Sequence, residues 1–195
     1  MNNIKSILLT GVGGQGVLTA SEILSDALID EGYDVKKAEV HGMSQRGGSV
    51  NSHLRYGEKV YSPLIEEGTA DVILSFEILE AIRFSKYLKD DGKLVINNLK
   101  VIPNSVYFSD VKYPKNPEKA LEDVYKDKLN LFDAFKIAKN CGNSRFANVV
   151  MLGAISQIMN ISDESMEKAI ENRVPEKTIE GNLKAFKKGK ELVAQ

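Results

Sequence analysis

Two glycine-rich stretches hold the residues whose types and spacing could do chemistry. The first is Gly11-Val12-Gly13-Gly14-Gln15-Gly16. Side-chain-free residues at Gly11, Gly13 and Gly16 would let phosphate oxygens approach backbone N–H groups at a helix N-terminus, as in a dinucleotide fingerprint. Glu39 lies about where an acid binding a ribose hydroxyl would stand, which points to NAD or FAD. The plainer alternative is that the glycines only permit a tight turn and close helix–strand packing. Gln15 could bond a ligand or a neighbouring loop carbonyl, and the second is favoured.

The second stretch is His41-Gly42-Met43-Ser44-Gln45-Arg46-Gly47-Gly48-Ser49. Successive N–H groups of Gly47, Gly48 and Ser49 can form an anion-binding nest, and the Arg46 guanidinium would add charge-assisted bonds. The competing reading is a solvated loop with an arginine salt bridge. His41 and His53 are the only histidines, and neither has a second histidine or a cysteine at ligand spacing, so no metal site is expected. His53 is read as a structural histidine, while for His41, beside the loop, a structural role and a polar role at the site stand level.

Placing these residues requires strands that end at the glycines. Ile4 to Thr10 is a short apolar strand, and Val17 to about Glu31 carries apolar residues three and four apart, a helix capped by Gly32. Asp34 to Glu39 is a second strand, so both glycine clusters follow strand ends, where ligands bind in open α/β sheets. Val50 to Tyr56 alternates as a half-buried strand with one wetter face, and Lys59-Val60-Tyr61 is expected to return antiparallel before Pro63. Ala70 to Phe76 is a continuous apolar run, a strand buried on both faces.

A helix is expected from Glu77 to about Leu88, a turn at Asp90-Asp91-Gly92 and an interior strand at Leu94-Val95-Ile96. Further elements are a strand at Val106-Tyr107-Phe108, a helix from Pro117 to Tyr125, a strand from Leu129 to Phe132 and a helix from Ala134 to Asn140 capped by Asp133. Phe146 to Met159 reads as a buried helix, Ser162-Asp163 starts another, and Thr178 to Val193 forms a last, basic amphipathic one. The fold class is therefore α/β: three layers, with a Rossmann-like sheet, mostly parallel or mixed, and a helical C-terminal cap. Residues 1–195 form one domain in this reading.

Composition narrows the function. Apolar residues at 43% and charged residues at 27% are ordinary globular values, so a packed core is expected. Lysine plus arginine (26) balances aspartate plus glutamate (27), which leaves no electrostatic footprint for nucleic acid or an anionic membrane. The one cysteine, Cys141, excludes an internal disulfide and a four-cysteine cluster, and a reducing cytoplasmic setting is expected. Only Lys5 precedes a short apolar strand, so no secretory signal is expected, and no apolar run is long enough to span a bilayer.

Several segments together carry a resemblance. They are GVGGQGVLTASEIL (11–24), EVHGMSQRGGSVNSHLRYG (39–57), SPLIEEGTADVILSFEILEAIR (62–83), GNSRFANVVMLGA (142–154) and VPEKTIEGNLKAFKKG (174–189). The chain resembles the γ subunit or domain of 2-oxoacid:ferredoxin oxidoreductases and, through HGMSQRGGSV, the β subunit of indolepyruvate:ferredoxin oxidoreductase. That resemblance implies a larger α subunit carrying thiamine diphosphate, Mg²⁺ and iron–sulfur clusters, with coenzyme A as co-substrate and ferredoxin as acceptor. It implies no cofactor held by this chain alone, and no activity alone.

On the same resemblance, the glycine turn (Gly11, Gly13, Gly14, Gln15, Gly16) and the loop residues His41, Ser44, Gln45, Arg46, Gly47 and Gly48 would line a cleft against the partner. There they would enclose the thiamine adduct or contact coenzyme A phosphates, with Arg145 and Asn148 completing the site. A homodimer in the absence of the partner is a further expectation. Two alternatives stand beside this reading: a free-standing NAD(P)-binding oxidoreductase, and a non-catalytic ligand-binding or assembly module.

Overall fold

The computed structural model describes residues 4–41, 47–103, 106 and 112–193, with the backbone alone for His41. Its strands are β1 (Lys5–Val12), β2 (Asp34–His41), β3 (Ser49–Gly57), β4 (Ala70–Ser75), β5 (Leu88–Asn97) and β6 (Leu129–Phe132). Its helices are α1 (Val17–Asp30), α2 (Ile78–Phe84), α3 (Pro117–Tyr125), α4 (Ala134–Asn140), α5 (Ala147–Met159), α6 (Asp163–Arg173) and α7 (Ile179–Glu191).

The sheet runs β2-β3-β1-β4-β5-β6. From β1 to β6 neighbouring strands are parallel, while β3 lies antiparallel to both β1 and β2. The α/β architecture is as the sequence indicates, and the sheet is mixed. The departure is the place of β3, which inserts between β1 and β2. The β1-α1-β2 unit of a Rossmann-like sheet, whose two strands would lie side by side, is thereby split.

Strand periodicity sorts the side chains into two cores. Ile7, Leu9, Leu54, Val72 and Leu74 face α1 and α5, meeting Ile23, Leu24, Leu28, Val150, Met151 and Ile155. Leu8, Ile73, Leu94 and Ile96 face the other way, against Ile78 and Ala81 of α2 and Leu121 of α3. Helix starts follow capping chemistry: Glu77 accepts the Glu80 N–H, Asp133 the Lys136 N–H, and Ser162 begins α6.

Four local expectations differ from what is observed. The wetter face of β3 is covered, because the coil 58–69 lies across it: the Ile65 N–H donates to His53 Nδ1, and Arg55 donates to the Ser62 and Leu64 carbonyls. That buries His53 and holds its imidazole below the usual pKa by desolvation, as a neutral structural group. Lys59-Val60-Tyr61 forms no strand, since the Val60 N–H is taken by the Asp34 carboxylate. Asp90-Asp91-Gly92 lies inside β5, where a register shift against β4 accommodates it. Of the strand expected at Val106-Tyr107-Phe108, Tyr107 and Phe108 lie outside the described residues, and the Val106 N–H donates to the Pro103 carbonyl.

The C-terminal helices lock by backbone contact. A Cβ on Gly153 of α5 would run into the Phe186 carbonyl, and one on Gly189 of α7 into the Val150 carbonyl. The two helices therefore cross at a distance that only glycine allows on both sides. Among the described residues no helix is long and apolar enough to cross a membrane. Substituting Gly189→Ala is expected to cost about 3 kcal/mol through this backbone clash, lowering the thermal midpoint by roughly 6–12 °C in calorimetry.

Candidate functional site

β1 runs out at Val12 and the chain turns through Gly13–Gly16 into α1. Gly14 (φ 102°) and Gly16 (φ 82°) hold left-handed conformations, which strain any residue with a Cβ. Gly16 is the N-cap of α1 and offers no side chain to its first-turn N–H groups. Those donors border a cleft of about 370 Å³ lined by Val12, Gly13, Gly14, Gly16, Val17, Leu18, Thr19 and Val50. Open space lies where a Cβ on Gly14 would stand.

The second glycine loop is bonded directly to the first. The Gly13 N–H donates to the Gly48 carbonyl at 2.9 Å, and the Gly47 N–H donates to the Gly13 carbonyl at 3.4 Å. The structure thus brings Gly11, Gly13, Gly14 and Gly16 together with Gly47 and Gly48. Asn148, at the start of α5, joins them, its Nδ2 lying 3.0 Å from where a Gly16 Cβ would sit. Ser44, Gln45 and Arg46 lie outside the described residues, as does the side chain of His41. Arg145 is exposed, in the 3₁₀ turn before α5, and lines neither cleft of the rim.

Gln15 turns inward. Its Oε1 accepts the Val12 N–H at 2.8 Å and sits 2.7 Å from where a Gly11 Cβ would be, so Gln15 closes its own turn. Its Nε2, buried in the same turn, has no partner among the described residues. Glu39 fares differently. It pairs in register with Ser52 on β3 and binds Lys37 Nζ at 2.8 Å. With β3 interposed, Glu39 stands two strand spacings, about 10 Å, from β1. The dinucleotide reading loses its ribose acid for this topological reason.

On the opposite face of the joined loops lies a second cleft, of about 190 Å³, lined by Val12, Gly47, Gly48, Ser49, Glu77, Leu79, Glu80, Arg83, Val101 and Pro103. Its charged members were not picked out from the sequence. Glu77 is fully engaged: its carboxylate accepts the Glu80 N–H at 2.8 Å, the Val101 N–H at 3.0 Å and the Tyr113 hydroxyl at 3.1 Å. Burial, then the Glu77 charge, pushes the Tyr113 phenol above its usual pKa. Glu80 accepts the Ser49 hydroxyl and meets Arg83 Nε at 3.3 Å. Burial raises its pKa above the ordinary 4.5, opposed by the Ser49 bond and the Arg83 charge. The signal available in sequence was the spacing Glu77, Glu80, Arg83, one side of a helix that begins just past a strand end.

Beneath this cleft, Thr10 and Asn51 face each other across the β1–β3 ladder, both buried, and Thr10 Oγ1 and Asn51 Oδ1 have no partner among the described residues. The rim as a whole offers N–H donors, apolar walls and two buried carboxylates, Glu77 and Glu80. Among the described residues no group of three His, Cys, Asp or Glu side chains could hold a metal. N–H donors beside apolar walls suit an anionic or amide-bearing ligand, and the hydroxyl–carboxylate contact among the described residues here is that of Ser49 with Glu80.

Comparison with known proteins gives a consistent family. The family model described as pyruvate ferredoxin/flavodoxin oxidoreductase matches residues 6–192. Indolepyruvate oxidoreductase subunit IorB of Thermococcus kodakarensis is 45% identical over 94% of this chain and 93% of its own. The γ subunit of a keto/oxoacid ferredoxin oxidoreductase from Geobacter sulfurreducens superposes with a TM-score of 0.72 at 27% identity, over 97% of this chain and 98% of that one. A third structure, 2-oxoglutarate:ferredoxin oxidoreductase from Magnetococcus marinus with 2-oxoglutarate, coenzyme A and succinyl-CoA bound, shares the fold at a TM-score of 0.75 and 22% identity. It contains the whole of this chain's fold within 32% of its own length.

The Glu80 carboxyl sets a pH dependence with a definite sign. Its folded-state pKa is raised, so the native state holds a proton that the unfolded state has released above 4.5. Stability from this group therefore falls as pH rises from that value through the folded pKa. Urea unfolding across about pH 5 to 8 should show wild type losing ground to Glu80→Gln as pH rises, by at most about 1.4 kcal/mol per unit. A difference between the two that stays flat from pH 5 to 8 would mean the Ser49 and Arg83 contacts outweigh burial.

Proposed function

The chain belongs to the pyruvate ferredoxin/flavodoxin oxidoreductase family, and we propose that it serves as the non-cluster subunit of an indolepyruvate-type 2-oxoacid:ferredoxin oxidoreductase. The observation that carries this reading is the 45% identity to an indolepyruvate oxidoreductase subunit across nearly the whole of both chains. In the reaction an arylpyruvate, coenzyme A and two oxidised ferredoxins give an acyl-CoA, carbon dioxide, two reduced ferredoxins and a proton.

The redox groups do not fit this chain. A cubane cluster takes four thiolates, and Cys141 is the only cysteine. Thiamine diphosphate, Mg²⁺ and the clusters are therefore assigned to a larger partner subunit, where they supply decarboxylation and one-electron transfer. The setting is the cytoplasm, which keeps Cys141 reduced.

What this chain contributes is the rim. The first-turn N–H groups of α1, the backbone of Gly13, Gly14 and Gly16, and the open space above Gly14 suit a phosphate or pyrophosphate oxygen. Arg46, Gly47 and Gly48, with His41, Ser44 and Gln45 beside them, would add a charged clamp against coenzyme A, and Asn148 would set the floor beside Gly16. Arg145 reaches the site only if the partner draws it in. A free-standing NAD(P) enzyme is disfavoured by the separation of Glu39 from β1.

The test is reconstitution. The purified chain alone should neither turn over indolepyruvate nor bind NADH saturably. Combined with its larger subunit it should reduce ferredoxin with an arylpyruvate and coenzyme A. In that complex Arg46→Ala should raise the KM for coenzyme A roughly tenfold, as loss of a charge-assisted bond would. Full ferredoxin reduction by the larger subunit alone would defeat the proposal, and unchanged kinetics would remove Arg46 from the site.

A further inference from the structure

The sheet ends in two edges, and they differ. β6 is four residues long, whereas β2 has eight, all of them paired to β3 in unbroken register from Asp34 to His41. Among the described residues the other side of β2 has no neighbouring strand in the sheet. A long, regular edge presents backbone N–H and C=O groups to any strand that approaches, and folded proteins blunt such edges with bulges, prolines or unpaired lysines. β2 has no bulge and no proline. Its lysines are neutralised within the strand: Lys36 Nζ lies 2.5 Å from Asp34 Oδ1, and Lys37 Nζ lies 2.8 Å from Glu39 Oε1.

The side chains at this edge are self-complementary. Residues opposite one another in an antiparallel pair share a face, so two copies of β2 related by a two-fold axis can meet only with the axis at a residue. With the axis at Ala38, Lys37 of each copy faces Glu39 of the other, and Lys36 faces Val40. With the axis at Lys37 or at Glu39, like charges oppose each other directly, which is destabilising. On the second face, Ala38 and Val40 stand in register with His53 and Asn51, on the side covered by the coil 58–69. Val40 is 51% exposed, and on that coil Leu64 is 57% and Tyr61 85% exposed, an apolar margin beside the free backbone.

We propose that β2 is a homodimer edge, at which a second copy of this chain pairs antiparallel about Ala38 and continues the sheet to twelve strands. The two-fold axis runs perpendicular to the sheet, so the two glycine rims point to opposite ends of the dimer. Each rim stays free to meet a larger subunit. The dimer stands on the edge alone and does not depend on the catalytic assignment.

Sedimentation equilibrium on the full isolated chain tests it. Wild type should be a dimer at micromolar concentration. Lys37→Glu and Glu39→Lys, each placing like charges across the axis, should weaken it at least tenfold. The double variant Lys37→Glu/Glu39→Lys swaps the pair and should restore dimerisation. Because the swap also restores the Lys37–Glu39 pair within the strand, each single variant must sediment as a monomer with wild-type circular dichroism. An unfolded single variant, or one that keeps the dimer, counts against the proposal. Ala38→Cys should cross-link under mild oxidation, because opposite Cβ atoms at an axis come within disulfide reach. A monomeric wild type, a dimer indifferent to both single charge reversals, or a double variant no better than either single one would overturn the proposal.

Discussion

The backbone hydrogen bonds between Gly13 and the Gly47–Gly48 turn are the constraint on which the site depends. They extend the β1–β3 ladder one step past its last pair, Val12 opposite Ser49. That extension requires β3 to run antiparallel beside β1, which displaces β2 to the edge of the sheet. Val12 then separates two clefts, one over the α1 N-terminus and one over Glu80. Splitting β1 from β2 and joining the two glycine turns are one event seen from two ends.

The rim is polar by construction. Going along β1, β4 and β5, apolar core residues give way at the C-terminal ends to Thr10, Ser75 and Asn97, all buried. Ser75 donates to the Glu77 carbonyl at 2.6 Å, and Asn97 joins the Phe76 carbonyl to the Ala134 N–H. Glu77 ties the next layer, reaching α2, the segment at Val101 and Tyr113. These bonds fix the strand ends and the α2 start as one body, a preorganised support beneath the mobile chemistry of a ligand. Among the described residues, Thr10 Oγ1, Asn51 Oδ1 and Gln15 Nε2 at the rim have no partner, and buried polar atoms left without partners are destabilising by themselves.

Much of this was legible in the sequence because it is local. The apolar runs of β4 and β6, the 3.6-residue stripe of α1, Pro117 at the start of α3 and the caps Asp133 and Ser162 each follow from a few adjacent residues. Glycine positions in the first turn were legible too, since only glycine tolerates φ near 102° and 82°. What could not be read is pairing at a distance. Nothing within 34–57 says that β3 rather than β2 lies beside β1, so Glu39 was given a ribose role that topology denies it. The Ser49–Glu80 bond spans 31 residues, and Glu80 alone reads as an ordinary first-turn acid of a helix. The alternation of Val50 to Tyr56 suggested a wet face, because the coil that covers it becomes adjacent only on folding.

A rim of N–H donors open to water is a weak anion site, since water competes for each donor. The same donors act far more strongly once the site is covered and the local dielectric falls. This chain has no long loop among its described residues that closes over the α1 cleft, whose walls Val12, Val17, Leu18 and Val50 are apolar. Apolar walls around exposed donors gain stability when another surface excludes the solvent. On the proposed assignment the larger subunit does so, and its arrival both buries the walls and strengthens the donors. On that assignment the inactivity expected of the chain alone and its part in the complex would share one cause: the donors lie here, and the exclusion of water that strengthens them would come from the partner.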